Sequence, residues 1–281
     1  MAVTLEQLVA HTRKKVIEWK RSVDVAQLER AAEARAPRSF RGALLQAAQR
    51  GPAIIAELKK ASPSKGVIRG TLHVASLALG FQLAGAAALS VLTEEDYFQG
   101  SIANLHEASA ATDLPCLRKD FIVDRLQILE ARAAGADAVL LIVGALAPAE
   151  FTHLYGQAQE AGLDVLCEVH DEQELELAKT VGAGLIGVNS RDLKTFRVDL
   201  ETAMRLGPML PKGAVQVAES GIETGADIRK LRQAGYHAFL IGESLMKAES
   251  PEDALRRLIA EAKAPPLGTA GVATWGAGTK D

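Results

Sequence analysis

The sequence has few of the features that mark secreted, metal-binding or membrane proteins. It contains two cysteines, Cys116 and Cys167, in apolar runs without the C-x-x-C spacing of metal ligands. This excludes a disulfide framework, and we interpret both thiols as small buried hydrophobic groups. No apolar run approaches ~18 residues, so no transmembrane helix is expected. The N-terminal residues lack the apolar segment of a secretory signal, so we expect a cytoplasmic protein.

A large excess of charge is also absent. The 32 basic and 35 acidic residues give a net charge of −3, which argues against nucleic acid or an anionic membrane as the main partner. A small anionic substrate is compatible with this balance, because a local basic site does not require a basic protein. With 281 residues, of which 48% are hydrophobic and 24% charged, the chain suits one large α/β domain or two small ones.

Strand-like and helical segments alternate along most of the chain. Eight apolar segments have strand character, at about 53–58, 87–92, 115–118, 137–143, 164–169, 185–189, 214–218 and 238–242. A glycine ends the helix before every second strand, at Gly85, Gly135, Gly182 and Gly235. Eight βα units predict a closed (β/α)8 TIM barrel. An open doubly wound sheet would have fewer units and a G-x-G-x-x-G turn after the first strand, which this sequence lacks.

Further segments flank the predicted barrel. Three helices are expected at about residues 4–21, 24–34 and 40–49, the first with a capping-box pattern of Thr4 and Gln7. We interpret residues 1–49 as a helical N-terminal extension and residues 50–263 as a barrel that forms one domain with it. Residues 264–281, rich in Gly, Ala, Thr and Pro, are expected to form a flexible tail.

Charged residues stand at the predicted carboxyl ends of the strands, where (β/α)8 barrels have their active sites. Glu57 and Lys59 end the first strand and, being two residues apart, face the same side of it. Lys119, Glu168 and Glu219 end the third, fifth and seventh strands. A solvated ion pair, a helix cap or a structural carboxylate explains each one singly. Their common location favours an acid–base site, because buried opposite charges shift one another's pKa values.

Turns that contain serine and glycine follow the last two strands. This is the usual phosphate position in such barrels, where backbone N–H groups and a helix N-terminus face the anion. An ordinary turn is the competing interpretation, since Ser-Gly after a strand is common. The candidate phosphate-binding residues are Arg191, Ser220, Gly221, Gly242 and Glu243.

Apolar residues and a loop near the same strand ends complete the candidate site. Phe98, Phe121 and Leu193 are candidates for a slot that holds a ring, although ordinary packing beneath loops explains each one equally well. Turn-forming residues 62–66 follow the first strand. We expect this loop, with Ser62 and Pro63, to cover the substrate.

The order and spacing of these motifs resemble the indole-3-glycerol phosphate synthase family. The resemblance covers about residues 50–250 and is carried by IAELKKASPSKG, SVLTEEDYFQG, LRKDFI, GADAVLLIV, EVHDEQEL, IGVNSRDL, VAESGI and FLIGESLM. Two positions depart from the family's common pattern. Ser190 stands where a second asparagine is frequent, and Ala218 where a serine is frequent.

The resemblance implies a carboxy-lyase of tryptophan biosynthesis that uses no cofactor or metal. Its substrate would be 1-(2-carboxyphenylamino)-1-deoxyribulose 5-phosphate, a sugar phosphate. Lys119 would be the acid at the ketone oxygen. Glu168 would be the base, or would stabilise positive charge on the anilino nitrogen. Lys59 would hold the substrate carboxylate, contribute to the phosphate site and act as an acid when water departs, while Glu57 would orient both lysines.

The resemblance also implies how the remaining groups bind the substrate. Asn189 and Glu219 would bind its hydroxyl groups, and the turns after the last two strands, with Arg191, would bind its phosphate. Phe98, Phe121 and Leu193 would clamp the aromatic ring. We expect no partner other than this substrate, and a monomer or a simple homodimer.

Two other functions are compatible with the same residues. Another phosphate-binding barrel enzyme, such as a phosphoribosylanthranilate isomerase or a class I aldolase, would have similar strand ends, and an aldolase would form a Schiff base on a strand-end lysine. A non-catalytic barrel that binds a phosphorylated metabolite or a protein is the second alternative. Loss of a strand-end charge would favour it, and none is lost here.

Overall fold

The structure, a computed structural model, describes residues 4–192, 195 and 197–264. Within these residues the strands are β1 (Ala53–Leu58), β2 (Ala61–Ser62), β3 (Gly66–Val67), β4 (Ala88–Leu92), β5 (Cys116–Lys119), β6 (Ala138–Ile142), β7 (Asp164–Val169), β8 (Leu185–Asn189), β9 (Val215–Glu219) and β10 (Ala238–Ile241). The α-helices are α1 (Leu5–Trp19), α2 (Val25–Glu33), α3 (Phe40–Ala48), α4 (Val74–Ala84), α5 (Ile102–Ala111), α6 (Arg125–Ala133), α7 (Pro148–Glu160), α8 (Glu172–Thr180), α9 (Glu201–Leu206), α10 (Gly225–Gln233), α11 (Glu243–Lys247) and α12 (Pro251–Lys263). Two short 3-10 helices cover Val143–Ala145 and Gly207–Met209.

Eight of these strands form a closed parallel barrel in the order β1-β10-β9-β8-β7-β6-β5-β4, and β4 pairs with β1. Helices connect consecutive barrel strands, so the chain has the (β/α)8 TIM-barrel fold that the strand spacing predicts. Each predicted strand agrees with an observed one to within a residue at either end. The antiparallel pair β2–β3 was not predicted from the sequence, because strands of two residues have no recognisable periodicity.

Apolar side chains fill the barrel and the layer between the strands and the helices. Since successive side chains of a strand point to opposite faces, Ile55 packs inside the barrel while Ile54 packs towards the helices. Cys116 and Cys167 are free thiols in the outer layer, as predicted. Burial raises the pKa of the Cys116 thiol to about 12, so it behaves as a hydrophobic group. No helix in the described part of the chain is both long and apolar enough to cross a bilayer.

The N-terminal helices cover opposite ends of the barrel. Phe40 of α3 is fully buried among inward-facing residues, and Arg41 Nε donates a 3.0 Å hydrogen bond to the Gly184 carbonyl just before β8. Leu8 of α1 belongs to the same apolar cluster at the other end, where the strands finish. The predicted capping box of α1 is present, with reciprocal hydrogen bonds between Thr4 and Gln7.

A buried aspartate ties the segment between α2 and α3 to the barrel. Asp137 precedes β6 and is fully buried. Its Oδ1 accepts from the Arg38 backbone N at 2.7 Å, and its Oδ2 accepts from Arg38 Nε at 2.9 Å and from the Cys116 backbone N at 2.8 Å. Arg38 Nη2 lies 2.7 Å from Oδ2, and Arg35 Nη2 adds a fifth contact at 3.3 Å. These contacts compensate the cost of burying the carboxylate.

Replacing this carboxylate is expected to weaken the whole fold. Asp137→Ala removes every one of these acceptors and should lower the free energy of unfolding by about 3 kcal/mol, because breaking a buried ion pair leaves its partner uncompensated. Urea unfolding followed by circular dichroism measures the change. The exposed Asp113 gives the matched control, and Asp113→Ala should stay within about 0.5 kcal/mol of wild type. Equal losses in both variants would contradict the assignment.

Candidate active site

The strand register brings the charged strand ends together. Lys119 and Glu219 are the last residues of β5 and β9, and Glu168 is the next to last residue of β7. In a parallel barrel such positions lie on one rim. The register pairs Glu168 with Gly187, and Asn189 with Glu219, so these side chains enter the barrel mouth at a similar depth.

This rim encloses a cavity of about 730 Å³. The cavity is lined by every predicted site residue within the described part of the chain: Glu57, Lys59, Ser62, Pro63, Phe98, Lys119, Phe121, Glu168, Asn189, Arg191, Glu219, Ser220, Gly221, Gly242 and Glu243. Leu193 lies outside the described residues. The structure thus places these side chains around one cavity, and the individual role of each stays a prediction.

Lys119 is the centre of the charged group. Its Nζ lies 2.8 Å from Glu168 Oε2 and 3.3 Å from Glu219 Oε2. Glu168 and Glu219 are both 1% exposed. Asn189 Nδ2 donates to Glu168 Oε1 at 3.1 Å, so each oxygen of this carboxylate has a donor. The lysine therefore contacts two carboxyl groups that are otherwise isolated from water.

A second ion pair lies beside the first. Lys59 Nζ is 2.7 Å from Glu57 Oε1, and Ser90 Oγ donates to Glu57 Oε2 at 3.4 Å. We call Glu57, Lys59, Lys119, Glu168 and Glu219 the strand-end cluster. It contains three carboxyl groups and two ammonium groups. One carboxyl group is therefore without a full positive partner, which is costly in a buried place unless it takes up a proton.

The pKa values identify which carboxyl group carries that proton. Burial and the neighbouring charge of Glu168 raise the pKa of Glu219 to about 8, although Lys119 opposes the shift. Burial also acts to raise the pKa of Glu168, but the charges of Lys119 and His170 hold it below its ordinary value. Burial acts to lower the pKa of Lys119, yet Glu168, Glu219 and Glu57 raise it well above the ordinary range. At neutral pH, Lys119 and Glu168 are thus charged and Glu219 is protonated.

A glycine makes room for this arrangement. Gly187 stands in β8 between the two carboxyl groups, and a methyl group on it would overlap Glu219 Oε1 and press against Leu166. Glycine is therefore needed here because any side chain would collide with Glu219, and not because the backbone requires an unusual conformation. Sequence reasoning could not assign this role, because it depends on which side chains lie across the neighbouring strands.

The candidate phosphate corner has an unusual backbone. Ser220 and Gly221 both have positive φ, +63° and +76°. A non-glycine residue in this region costs on the order of 1–3 kcal/mol, and such residues cluster at ligand sites. Arg191 Nη2 lies 3.3 Å from Glu243 Oε2, and Glu243 Oε1 accepts from Lys247 Nζ at 2.6 Å. The sequence predicted a role for the Glu243 backbone alone, and these side-chain ion pairs were not predicted.

Two phenylalanines form the apolar wall. The Phe98 and Phe121 rings lie 6.2 Å apart at 52°. Glu94 Oε2 fixes the loop that carries Phe98, because it accepts from the backbone N atoms of Tyr97 and Phe98 at 2.7 and 3.0 Å. Leu8 of α1 also lines the cavity, which sequence reasoning missed. Only the packing of α1 over the barrel brings this residue near the site.

A hydrogen bond and an ion pair hold α1 in this position. His11 Nε2 lies 2.7 Å from Asp96 Oδ2, and Lys15 Nζ lies 2.8 Å from Glu95 Oε2. Asp96 and Glu95 belong to the loop that follows β4, next to Phe98. The partners are separated by 80 to 85 residues in sequence, so no local sequence pattern predicts these contacts.

The loop after β1 forms another part of the wall. Ser62 pairs with Gly66 across β2 and β3, and residues 62–65 line the cavity. The Ala61 backbone N donates to the Phe98 carbonyl at 3.2 Å, which links this loop to the apolar wall. Closure of the loop over a substrate stays a prediction.

Sequence reasoning also left His170 out of the site. Its Nε2 lies 3.5 Å from Glu168 Oε1, and its Nδ1 lies 3.0 Å from Glu174 Oε2. The available signal was its position two residues after Glu168. In an extended strand this spacing places both side chains on one face.

Comparisons with known proteins agree on the family and the fold. A family model described as indole-3-glycerol phosphate synthase matches residues 5–258. The indole-3-glycerol phosphate synthase of Koribacter versatilis (strain Ellin345) is 54% identical over 259 residues, covering 92% of this chain and 100% of that protein. Two solved structures share the fold at low identity. A 3-hexulose-6-phosphate synthase has a TM-score of 0.60 at 15% identity and covers 74% of this chain and 99% of its own. A thiamine phosphate pyrophosphorylase from Pyrococcus furiosus has a TM-score of 0.53 at 18% identity and covers 75% and 95%.

The proton on Glu219 should make stability depend on pH. Between the ordinary carboxyl pKa of 4.5 and about 8, folded Glu219 holds a proton that the unfolded chain has released. Raising the pH through this window therefore favours unfolding. In Glu219→Gln this contribution is absent, so the free energy of unfolding should fall less from about pH 5 to 8.

Urea unfolding at several pH values measures this difference. The control is Glu160→Gln, which changes an exposed residue and should keep the wild-type pH dependence. If Glu219→Gln and wild type lose stability in parallel over this range, Glu219 does not hold the proton.

Proposed function

Because the chain belongs to the indole-3-glycerol phosphate synthase family, we propose that the strand-end cluster closes the indole ring of 1-(2-carboxyphenylamino)-1-deoxyribulose 5-phosphate. The reaction gives indole-3-glycerol phosphate, CO2 and water and is a step of tryptophan biosynthesis. One observation carries the assignment of roles: Lys119 Nζ contacts Glu168 and Glu219 inside the cavity. A cation, a carboxylate and a protonated carboxyl group then surround one point, as acid–base chemistry requires.

Lys119 is the acid of the ring closure. Attack of the aryl carbon on the ketone develops negative charge on the ketone oxygen, and the alkoxide is a stronger base than an amine. The raised pKa of Lys119 keeps the ammonium group charged until that oxygen needs the proton. Glu168, 2.8 Å away, is the base or stabilises positive charge on the anilino nitrogen. Preorganised charges of this kind stabilise a transition state without reorganisation.

Lys59 serves the two later steps. It holds the substrate carboxylate until CO2 leaves and then protonates the departing hydroxyl group, and it adds positive charge near the phosphate. Its 2.7 Å contact with Glu57 supports this role, because the carboxylate fixes the direction of a flexible side chain. Glu57 also raises the pKa of Lys119 and so acts on both lysines.

The phosphate binds at the turns after β9 and β10. Consecutive positive φ angles at Ser220 and Gly221 and the cavity-lining backbone at Gly242 and Glu243 support this assignment. Arg191 adds a charge-assisted contact, since a planar guanidinium suits phosphate geometry.

The sugar chain and the ring occupy the remaining surfaces. Asn189 and Glu219 bind substrate hydroxyl groups, and a protonated Glu219 can donate as well as accept a hydrogen bond. Phe98 and Phe121, with Leu193, clamp the aromatic ring. The 6.2 Å separation of the two phenylalanine rings supports an apolar wall on one side of the cavity.

The electrostatics disfavour a Schiff-base aldolase. A nucleophilic lysine must be neutral, which enzymes achieve by lowering its pKa through desolvation or a second cation. Lys119 faces three carboxyl groups that raise its pKa instead. The same cluster suits an acid and not an amine nucleophile.

We propose a cytoplasmic enzyme with a sugar phosphate as its only partner, acting as a monomer or a simple homodimer and without a cofactor. The net charge of −3 supports the absence of nucleic acid among its partners. The division into an extension at 1–49, a barrel at 50–263 and a tail from 264 also stays a proposal, as does closure of the loop with Ser62 and Pro63.

Removing the acid should stop the reaction. Lys119→Ala should lower kcat by about 10²–10⁴-fold, the typical contribution of a positioned acid. Lys119→Arg keeps a positive charge between the carboxyl groups but is a far weaker acid, so it should lose comparable activity. Indole fluorescence measures product formation. The control Lys212→Ala changes an exposed lysine. Near-normal turnover in either Lys119 variant would exclude the acid role.

Removing the guanidinium should weaken substrate binding more than chemistry. Arg191→Ala loses charge-assisted hydrogen bonds worth about 1.5–3 kcal/mol, so KM should rise by roughly 10- to 100-fold. Inhibition by inorganic phosphate should weaken in parallel. The control Arg256→Ala changes an exposed arginine on α12 and should leave KM and the inhibition by phosphate unchanged. An unchanged KM in Arg191→Ala would place the phosphate elsewhere.

A further inference from the structure

The proposed reaction consumes one proton from solvent in every turnover. The ketone oxygen leaves as water and takes up two protons. The carbon that becomes C2 of the indole releases one proton. The substrate carboxylate leaves as CO2 and releases none. The sum is one proton taken up, so the lysines need a route by which they regain a proton from solvent. This inference rests on the proposed function.

Glu168 lies between Lys119 and His170. One carboxylate oxygen, Oε2, lies 2.8 Å from Lys119 Nζ. The other, Oε1, lies 3.5 Å from His170 Nε2. Glu168 itself is 1% exposed and has no direct access to water. His170 Nε2 is also buried, and it has no hydrogen-bond partner among the residues that the structure describes. Its titratable neighbour within 4 Å is Glu168.

His170 extends this contact towards the surface. Its Nδ1 lies 3.0 Å from Glu174 Oε2, and its backbone N donates to the same oxygen at 2.8 Å. Glu174 lies in the first turn of α8, and a methyl group on Gly144 would overlap its carboxylate. The His170 and Glu174 side chains are 17% and 20% exposed, so this end of the chain of contacts reaches solvent.

The charges around the ring favour its protonated form. They come from Glu168 on β7 and from Glu174 on α8. Glu219 on β9 is protonated at neutral pH, and the cation Lys119 lies beyond Glu168. Burial acts to lower the pKa of His170, but the hydrogen bond to Glu174 and the charges of Glu168 and Glu174 raise it above the ordinary value. The ring therefore lies between a surface carboxylate and a buried one.

We propose that His170, oriented by Glu174, resupplies the strand-end cluster with the solvent proton that each turnover consumes. Of the two protons that the lysines give up in a turnover, one is replaced by the proton that Glu168 takes from the substrate carbon, and Glu168 is then a carboxylate again. The imidazolium transfers its Nε2 proton to Glu168 Oε1. Rotation of the Glu168 carboxyl group presents that proton to the neutral amine of Lys119, which becomes an ammonium group again. The neutral imidazole, whose Nδ1–H stays on Glu174, is then reprotonated from solvent. No bond other than N–H and O–H forms or breaks.

The test separates the first turnover from the following ones. In His170→Gln the lysines of the resting enzyme are still protonated, so a single turnover with enzyme in excess should proceed within about 2-fold of wild type. Steady-state kcat should fall by about 10- to 100-fold, towards the lower range for a proton-transfer group, with KM little changed. Glu174→Gln should show the same split to a smaller degree. The control is His153→Gln on the exposed side of α7.

Each alternative gives a distinct result. If His170 only shapes Glu168, the single-turnover and steady-state rates fall together, and the relay is excluded. If both rates equal those of wild type, the proton arrives by another route, and the relay is again excluded. Added imidazole should restore steady-state turnover to His170→Gly, and no effect would count against the relay. Failure of the proposed function is separate, because wild type would then form no fluorescent indole product in the single turnover.

Discussion

The contact of one lysine with two buried carboxyl groups is the constraint on which this structure depends. Lys119, Glu168 and Glu219 meet inside a cavity where water does not screen them. Neither carboxyl group is stable there as an isolated anion. The lysine compensates one negative charge, and the other carboxyl group takes up a proton. This charge compensation allows the carboxyl groups to be buried. It also leaves an ammonium group, a carboxylate and a protonated carboxyl group in contact.

The barrel is what allows such an arrangement to persist. Parallel strands bring residues distant in sequence to one rim, and the register sets their depth. Gly187 provides the space in which Glu219 sits. Helix α1 covers the rim of the barrel, and its residue Leu8 lines the cavity. Beside Glu168, His170 and Glu174 connect the buried carboxylate with the surface.

Much of this was predictable from the sequence, for reasons that particular residues make clear. Strand boundaries followed from apolar runs, and the charges at Glu57, Lys119 and Glu168 were recognisable because they interrupt those runs at a position the barrel makes functional. The contribution of Leu8 and the pairing of Glu243 with Arg191 could not be predicted, because they arise from packing between elements far apart in sequence. The protonation of Glu219 depends on a balance of neighbouring charges that no single segment contains.

A double-mutant cycle on kcat/KM tests the central claim, that Lys119 and Glu168 act as one unit. The variants are Lys119→Met, Glu168→Gln and the two combined, assayed by indole fluorescence with retained folding checked by circular dichroism. If the pair is one unit, the double variant is about as slow as the slower single variant, because each single change already disables the other group. If the two losses multiply, the groups act independently and the account of a shared charge balance is wrong.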